Sequence, residues 1–217
     1  YLFALRPDPL VLARGREVKL DPTADAGIVR GRAALIFAIG TIALSHAVMV
    51  SIMSMTPVHM TNHGASLSLV GFVISLHIAG MYALSPLFGW ASDKFGRLTV
   101  ILAGQALFAA SVLLIGLAPE NETGVTVALV LLGLGWSAST VSGSALVSDL
   151  VTGATRVRVQ GRTDTIMSLA GAIGGAGAGP VLAVIGYAGV AWVAGGLVVV
   201  VVLAATVMGS RVAAPRF

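Results

Sequence analysis

The chain has 217 residues, of which 57% are apolar and 10% charged, with mean hydropathy +0.96, net charge +4, 27 glycines and no cysteine. Soluble domains carry about a quarter charged residues, so this composition excludes a soluble globular enzyme, a disordered tail and a disulfide-stapled secreted domain. Lys, Arg, Asp and Glu are absent from residues 33–92, 98–119, 123–148 and 165–210. One membrane-crossing helix takes about 20 apolar residues, so these stretches hold two, one, one and two crossings.

In chain order, Tyr1-Leu2-Phe3-Ala4-Leu5 reads as the end of an apolar helix, broken by Arg6-Pro7-Asp8-Pro9 because proline ends a helix and disfavours the residue before it. The expectation is a piece of a longer chain, with residues 1–32 a cytoplasmic linker entered from a preceding helix at 1–5. Six spans are predicted at 33–57, 67–91, 98–118, 125–148, 165–186 and 189–209. They form a transmembrane bundle over 33–210, followed by a cytoplasmic tail at 211–217. Inside lipid every backbone polar group is satisfied within its segment, so the spans are helices and the fold class is all-α integral membrane. All 13 basic residues fall on one side of this threading, at the N-terminal segment, Lys94 and Arg97, Arg156, Arg158 and Arg162, and the C-terminus. The opposite side carries only Glu120 and Glu122. By the positive-inside rule both termini are then cytoplasmic. The basicity is topological and implies no nucleic-acid partner; the partner it does imply is the bilayer.

The first span carries His46, Met49, Met53, Pro57 and Met60 at steps of three and four, one helical face. His46 and, in the second span, His77 each lie about 20 Å from the cytoplasmic ends of their helices. Imidazole titrates near neutrality, which suits a proton carrier or a solute contact, and equally a neutral histidine hydrogen-bonded between helices. The methionines suit a soft wall for varied apolar solutes or plain packing. With His59 and His63 they also suggest a soft-metal site, against which the lack of cysteine and carboxylate weighs.

The second loop reads Gly89-Trp90-Ala91-Ser92-Asp93-Lys94-Phe95-Gly96-Arg97. Gly89 would let a helix end approach its neighbour, and Gly96 would permit a tight reversal. Asp93 is placed to accept from the open N–H groups of a helix N-terminus, and Lys94 and Arg97 hold the loop at the cytoplasmic face. Asp149, Arg156, Arg158 and Arg162 gather on the same side, as a charge network or as solvated loop charge; exposed pairs contribute only about 0–1 kcal/mol each. In the fourth span Trp136, Thr140, Ser144 and Ser148 recur every four residues, a stripe able to hydrogen-bond to other helices or to solute. In the fifth, Gly171, Gly175 and Gly179 suit close packing, and Gly179-Pro180 suits a bend. The glycines do not meet the dinucleotide-binding spacing, nothing points to a catalytic centre or cofactor, and no metal is expected.

The second loop resembles the signature loop of the major facilitator superfamily, Gly-x3-Asp-(Arg/Lys)-x-Gly-Arg-(Arg/Lys), with Leu98 replacing the last basic residue. Gly133-Leu134-Gly135-Trp136 and Arg158-Val159-Gln160-Gly161-Arg162 are also similar to bacterial members. The resemblance implies a cytoplasmic linker plus helices seven to twelve, the C-terminal half-bundle of a twelve-helix secondary transporter. It implies a small-molecule substrate contacted by Trp136 and Thr140, and a missing N-terminal six-helix half on which Asp93 docks as a latch. Gly-Pro-x-x-Ala at residues 179–183 is similar to an antiporter motif and points weakly to proton-coupled export. A half-size homodimer and a non-transporting membrane scaffold are the alternatives; the latch loop, mid-membrane histidines and polar stripe count against the scaffold.

Overall fold

The computed structural model describes residues 31–213. The expected helix end at 1–5, the linker through residue 30 and the tail residues 214–217 lie outside the described residues. Helices run in the order α1 (Arg32–Asn62), α2 (Leu67–Tyr82), α3 (Ser85–Phe95), α4 (Arg97–Leu117) and α5 (Glu122–Leu150), followed by a helical segment Ala154–Ala213. That segment departs from helical geometry at Gly186 (φ 74°, ψ −178°), a conformation open to glycine because it has no Cβ. Its arms, 154–185 and 187–213, are α6 and α7. No strand occurs among the described residues.

Five stretches are long and apolar enough to cross a membrane, the last being Thr155–Met208 with 54 residues. Straight, it would extend about 80 Å, far beyond the ~30 Å hydrocarbon layer. The break at Gly186 folds it back: Gly174 and Ala178 of α6 and Val190 and Ala194 of α7 border the same apolar cavity of about 190 Å³.

Three boundaries differ from expectation. α1 continues through Pro57 to Asn62, because neighbouring helices in a bundle sustain a helix whose proline has removed one hydrogen bond. The stretch expected as one span at 67–91 is interrupted at Ala83–Leu84. Pro86 opens α3 and has no N–H for the Tyr82 carbonyl four residues back. α6 begins at Ala154 rather than 165, so Arg156, Arg158 and Arg162 stand on a helix instead of a loop. The chain stays helical through Gly179 and Pro180, and the reversal comes at Gly186, the end of the expected span 165–186.

α5 is the centre of the bundle, packed against α1, α2 and α4. The Gly133–Trp136 segment explains how. A Cβ on Gly133 would collide with the His77 carbonyl oxygen of α2. A Cβ on Gly135 would stand 2.9 Å from the Gly104 carbonyl oxygen of α4. Two glycines two positions apart therefore bring α5 to backbone contact with helices on opposite flanks, the small-residue packing that lipid-embedded helices favour. Around them Val48, Ile52, Phe108, Leu129, Leu132 and Ala191 form the main core. One amide ties three helices within it: Gln105 Nε2 of α4 donates to Ser45 Oγ of α1 (3.1 Å) and Ser139 Oγ of α5 (2.9 Å).

Candidate functional site

Two constellations stand out, one at the basic end of the helices and one at mid-depth. At the basic end α3 stops at Phe95, Gly96 turns the chain with φ 93°, and Arg97 opens α4. Arg97 faces two carboxylates. Its Nε donates to Asp149 Oδ2 of α5 at 3.0 Å, its Nη1 pairs with Asp93 Oδ1 of α3, and Nη1 also reaches Ser92 Oγ at 3.2 Å. One guanidinium thus joins the ends of three helices, a task its rigid fork of donors suits better than an ammonium. The carboxylates are open to solvent, with side-chain exposures of 70% for Asp93 and 55% for Asp149. Such pairs are weak and screened by salt, so the linkage breaks and re-forms at small cost.

The remaining residues singled out at this end are placed differently. Asp93 pairs with Arg97, the first residue of α4. Gly89 is not a point of close approach, since a Cβ there would meet Val141 at an ordinary 3.9 Å. Lys94 places its ammonium over the Trp90 ring, 4.7 Å from the centroid. Arg156 donates to the Val151 carbonyl at 3.1 Å. Arg158 and Arg162 are exposed and form no ion pair among the described residues.

At mid-depth, Trp136 Nε1 of α5 donates to His46 Nδ1 of α1 at 2.9 Å, with ring centroids 6.0 Å apart. Tyr82, the last residue of α2, presents its ring edge-on to Trp136 at 5.9 Å. His46, Trp136 and Tyr82 each lie 13 to 16 residues from the ends of their spans (Arg32–Asn62, Glu122–Leu150 and Leu67–Phe95), about 20–24 Å along the helix. α5 contacts both α1 and α2, which scarcely touch each other, and Trp136 of α5 meets His46 of one and Tyr82 of the other. Sequence reasoning singled out His46 and Trp136 separately; their hydrogen bond, and Tyr82 altogether, were not foreseen. The signal for Tyr82 was Pro86 four residues later, which breaks the helix beside it.

The other expected cavity residues are packed inward. Met49 is 3% exposed in the main core, and Met53 lies half-buried against it. His77 is fully buried, with Nδ1 donating to the Leu129 carbonyl at 2.8 Å, while its Nε2 has no partner among the described residues. Thr140 is half-buried, and its hydroxyl is also without a partner there.

At the end opposite Arg97, His59 Nε2 contacts the Pro119 carbonyl oxygen at 2.7 Å and its ring stacks on Tyr187 at 4.4 Å. Tyr187 shares a 2.6 Å hydrogen bond with Thr56, and His63 Nδ1 meets the His59 carbonyl oxygen at 2.8 Å. No group of three metal-ligating side chains occurs among the described residues.

Comparison with known proteins follows this geometry. The family model described as Major Facilitator Superfamily matches residues 35–216. Two MFS-type transporters of Bacillus subtilis (strain 168), YddS and YdeG, are 40% identical over 190 residues and 38% identical over 198 residues. These alignments cover 84% and 88% of this chain but 44% and 46% of the relatives. The riboflavin transporter RfnT of Brucella anthropi is 30% identical over 164 residues, 73% of this chain and 41% of its own. The chain spans less than half the length of these curated relatives.

Proposed function

The chain belongs to the major facilitator superfamily and is a multi-pass membrane protein, and from that premise we propose that it is the C-terminal half of a secondary active transporter. In this reading α2 and α3 count as one span and α6 and α7 as two, giving six, with both termini and the Arg97 end in the cytoplasm. The partner is an N-terminal half of six helices. A small amphipathic solute binds near mid-depth between the halves, which rock alternately to open to either side. Riboflavin, the solute in the name of one relative, is a first compound to test.

The observation that carries the reading is Arg97 held between Asp93 and Asp149. A linkage through three helix ends, made of exposed charge, fastens the cytoplasmic side in one state and releases it in the other. Removing one charge then favours the state in which that side is open.

Alternating access can be tested without knowing the solute. Tyr82 lies at mid-depth and is 60% exposed. In the full-length protein with no other cysteine, Tyr82→Cys is expected to react with a membrane-impermeant maleimide from either face, and adding Asp149→Asn is expected to raise the cytoplasmic labelling rate about threefold, the effect of ~0.7 kcal/mol on a two-state balance. Labelling from one face alone, unmoved by Asp149→Asn, contradicts the reading.

A further inference from the structure

We propose that the end of the bundle opposite Arg97 holds a binding site for a divalent transition-metal cation of the zinc class, with His59 Nδ1 and His63 Nε2 as its ligands and Glu120 supplying negative charge beside them. The inference goes beyond the transport reading and does not rest on it.

Two carbonyl oxygens fix where the imidazole protons lie. A carbonyl only accepts. His59 Nε2, 2.7 Å from the Pro119 oxygen, and His63 Nδ1, 2.8 Å from the His59 oxygen, therefore both carry the N–H. In the neutral rings the lone pairs then sit on His59 Nδ1 and His63 Nε2. Neither of these nitrogens has a hydrogen-bond partner among the described residues. His59 Nδ1 is also absent from the buried polar atoms that lack a partner, so it is open to the cavities that His59 borders. An imidazole that donates one N–H to a backbone carbonyl and leaves its other nitrogen open has the arrangement typical of metal-bound histidine.

The pair also suits a single ion in its spacing. His59 and His63 are one helical turn apart, the step at which helical histidines bind zinc, and their ring centroids are 4.2 Å apart. Two nitrogens on one tetrahedral zinc stand about 3.3 Å apart. His63 is exposed at the end of α1, so its ring can turn to bring Nε2 to that distance without disturbing the core. His59, His63 and Glu120 border a cavity of about 340 Å³, and the same three border a second, small one with Glu122. Two protein nitrogens fall short of the ligand set of a closed metal site, and water in these cavities completes the coordination.

Charge selects the ligand. Glu120 and Glu122 form no ion pair among the described residues, and no Lys or Arg occurs in residues 33–93, 98–155 or 163–210. This end attracts cations and carries no fixed positive charge to repel them. Nitrogen ligands disfavour Mg²⁺ and Ca²⁺, which take oxygen, and favour Zn²⁺, Ni²⁺ or Cu²⁺. The methionines that share α1 with the pair are packed away: Met49 and Met60 are each 3% exposed in the main core. Glu120, from the α4–α5 hairpin, stands beside the imidazoles in their place. A bound cation therefore fastens the hairpin to the end of α1.

Zinc binding is measured by equilibrium dialysis on the full-length protein in lipid nanodiscs, with empty nanodiscs subtracted and Mg²⁺ as the comparison. At about 0.1 mM free zinc, His63→Ala is expected to bind one ion fewer than the parent protein, and zinc should raise the melting midpoint of the parent more than that of the variant. His59→Gln should lose the same ion; if this buried change prevents folding, the exposed His63→Ala carries the result. Glu120→Gln should weaken the site about two- to threefold. Lowering the pH from about 7.5 to about 5.5 should weaken it about ten- to hundredfold, because the imidazoles protonate across that range while Glu120 and Glu122 stay charged and Tyr187 stays neutral. An equal zinc count in the parent and His63→Ala overturns the proposal, as does zinc binding that is unmoved by pH, or Mg²⁺ that occupies the same site as tightly.

Discussion

At one end of the bundle Arg97 links α3, α4 and α5 through carboxylates open to solvent; at the other, Thr56, His59 and Tyr187 join α1 to α7 and to the α4–α5 hairpin through a stacked pair and neutral hydrogen bonds. Tyr187 is 3% exposed and Thr56 fully buried. Burial makes the second set costly to break, because each separated polar group would lose its partner away from water. Exposure makes the first set cheap to break, because water replaces the lost partner. The same bundle therefore carries a fixed end and a releasable end, and a carrier that opens by rocking needs both.

Substitutions at the two ends should separate these roles. Tyr187→Ala removes a buried aromatic side chain and its hydrogen bond, and should lower unfolding stability by about 3–5 kcal/mol in a thermal or denaturant melt of the purified protein. A loss below about 1 kcal/mol would mean that the fixed end is not fixed. Thr56→Val keeps the shape and strands the Tyr187 hydroxyl, with an expected loss of about 1–3 kcal/mol in the same melt. Asp149→Asn should change stability by less than about 1 kcal/mol while altering labelling of the cytoplasmic face. A large destabilisation there would reduce the Arg97 linkage to ordinary structural support. The smallest effect concerns salt. Raising ionic strength from 0.01 M to 1 M shortens the screening length from about 30 Å to about 3 Å. It should mimic part of the Asp149→Asn effect in the labelling assay and leave the Tyr187 end unchanged.

The sequence made the membrane-crossing stretches legible because charge is expensive in lipid, so its absence marks the spans and its return marks the ends. Asp93, Arg97 and Asp149 were legible for the same reason, as the few charges bordering hydrocarbon. Neutral polar partners leave no such trace. Gln105 was the only amide in residues 98–119, yet nothing in its spacing pointed to Ser45 and Ser139, which lie on other helices. Likewise the face of His46, Met49 and Met53 was visible as a period, but periodicity does not say which member is covered: the structure buries Met49 in the core and leaves His46 half-buried beside Trp136. Pro57 and Pro86 show why prolines mislead. Packing carries α1 through Pro57 to Asn62, whereas the helix before Pro86 ends at Tyr82, and only the surroundings distinguish the two.

The central claim is that the charged and the neutral ends face opposite sides of the bilayer, with the charged end in the cytoplasm. This chain contains no cysteine, so single cysteines introduced at Lys94 and at Glu120 report cleanly once any others in the full-length protein are removed. In right-side-out vesicles a membrane-impermeant maleimide should label Glu120→Cys and spare Lys94→Cys, and inside-out vesicles should reverse the pattern. Labelling of both positions from one face would contradict the account.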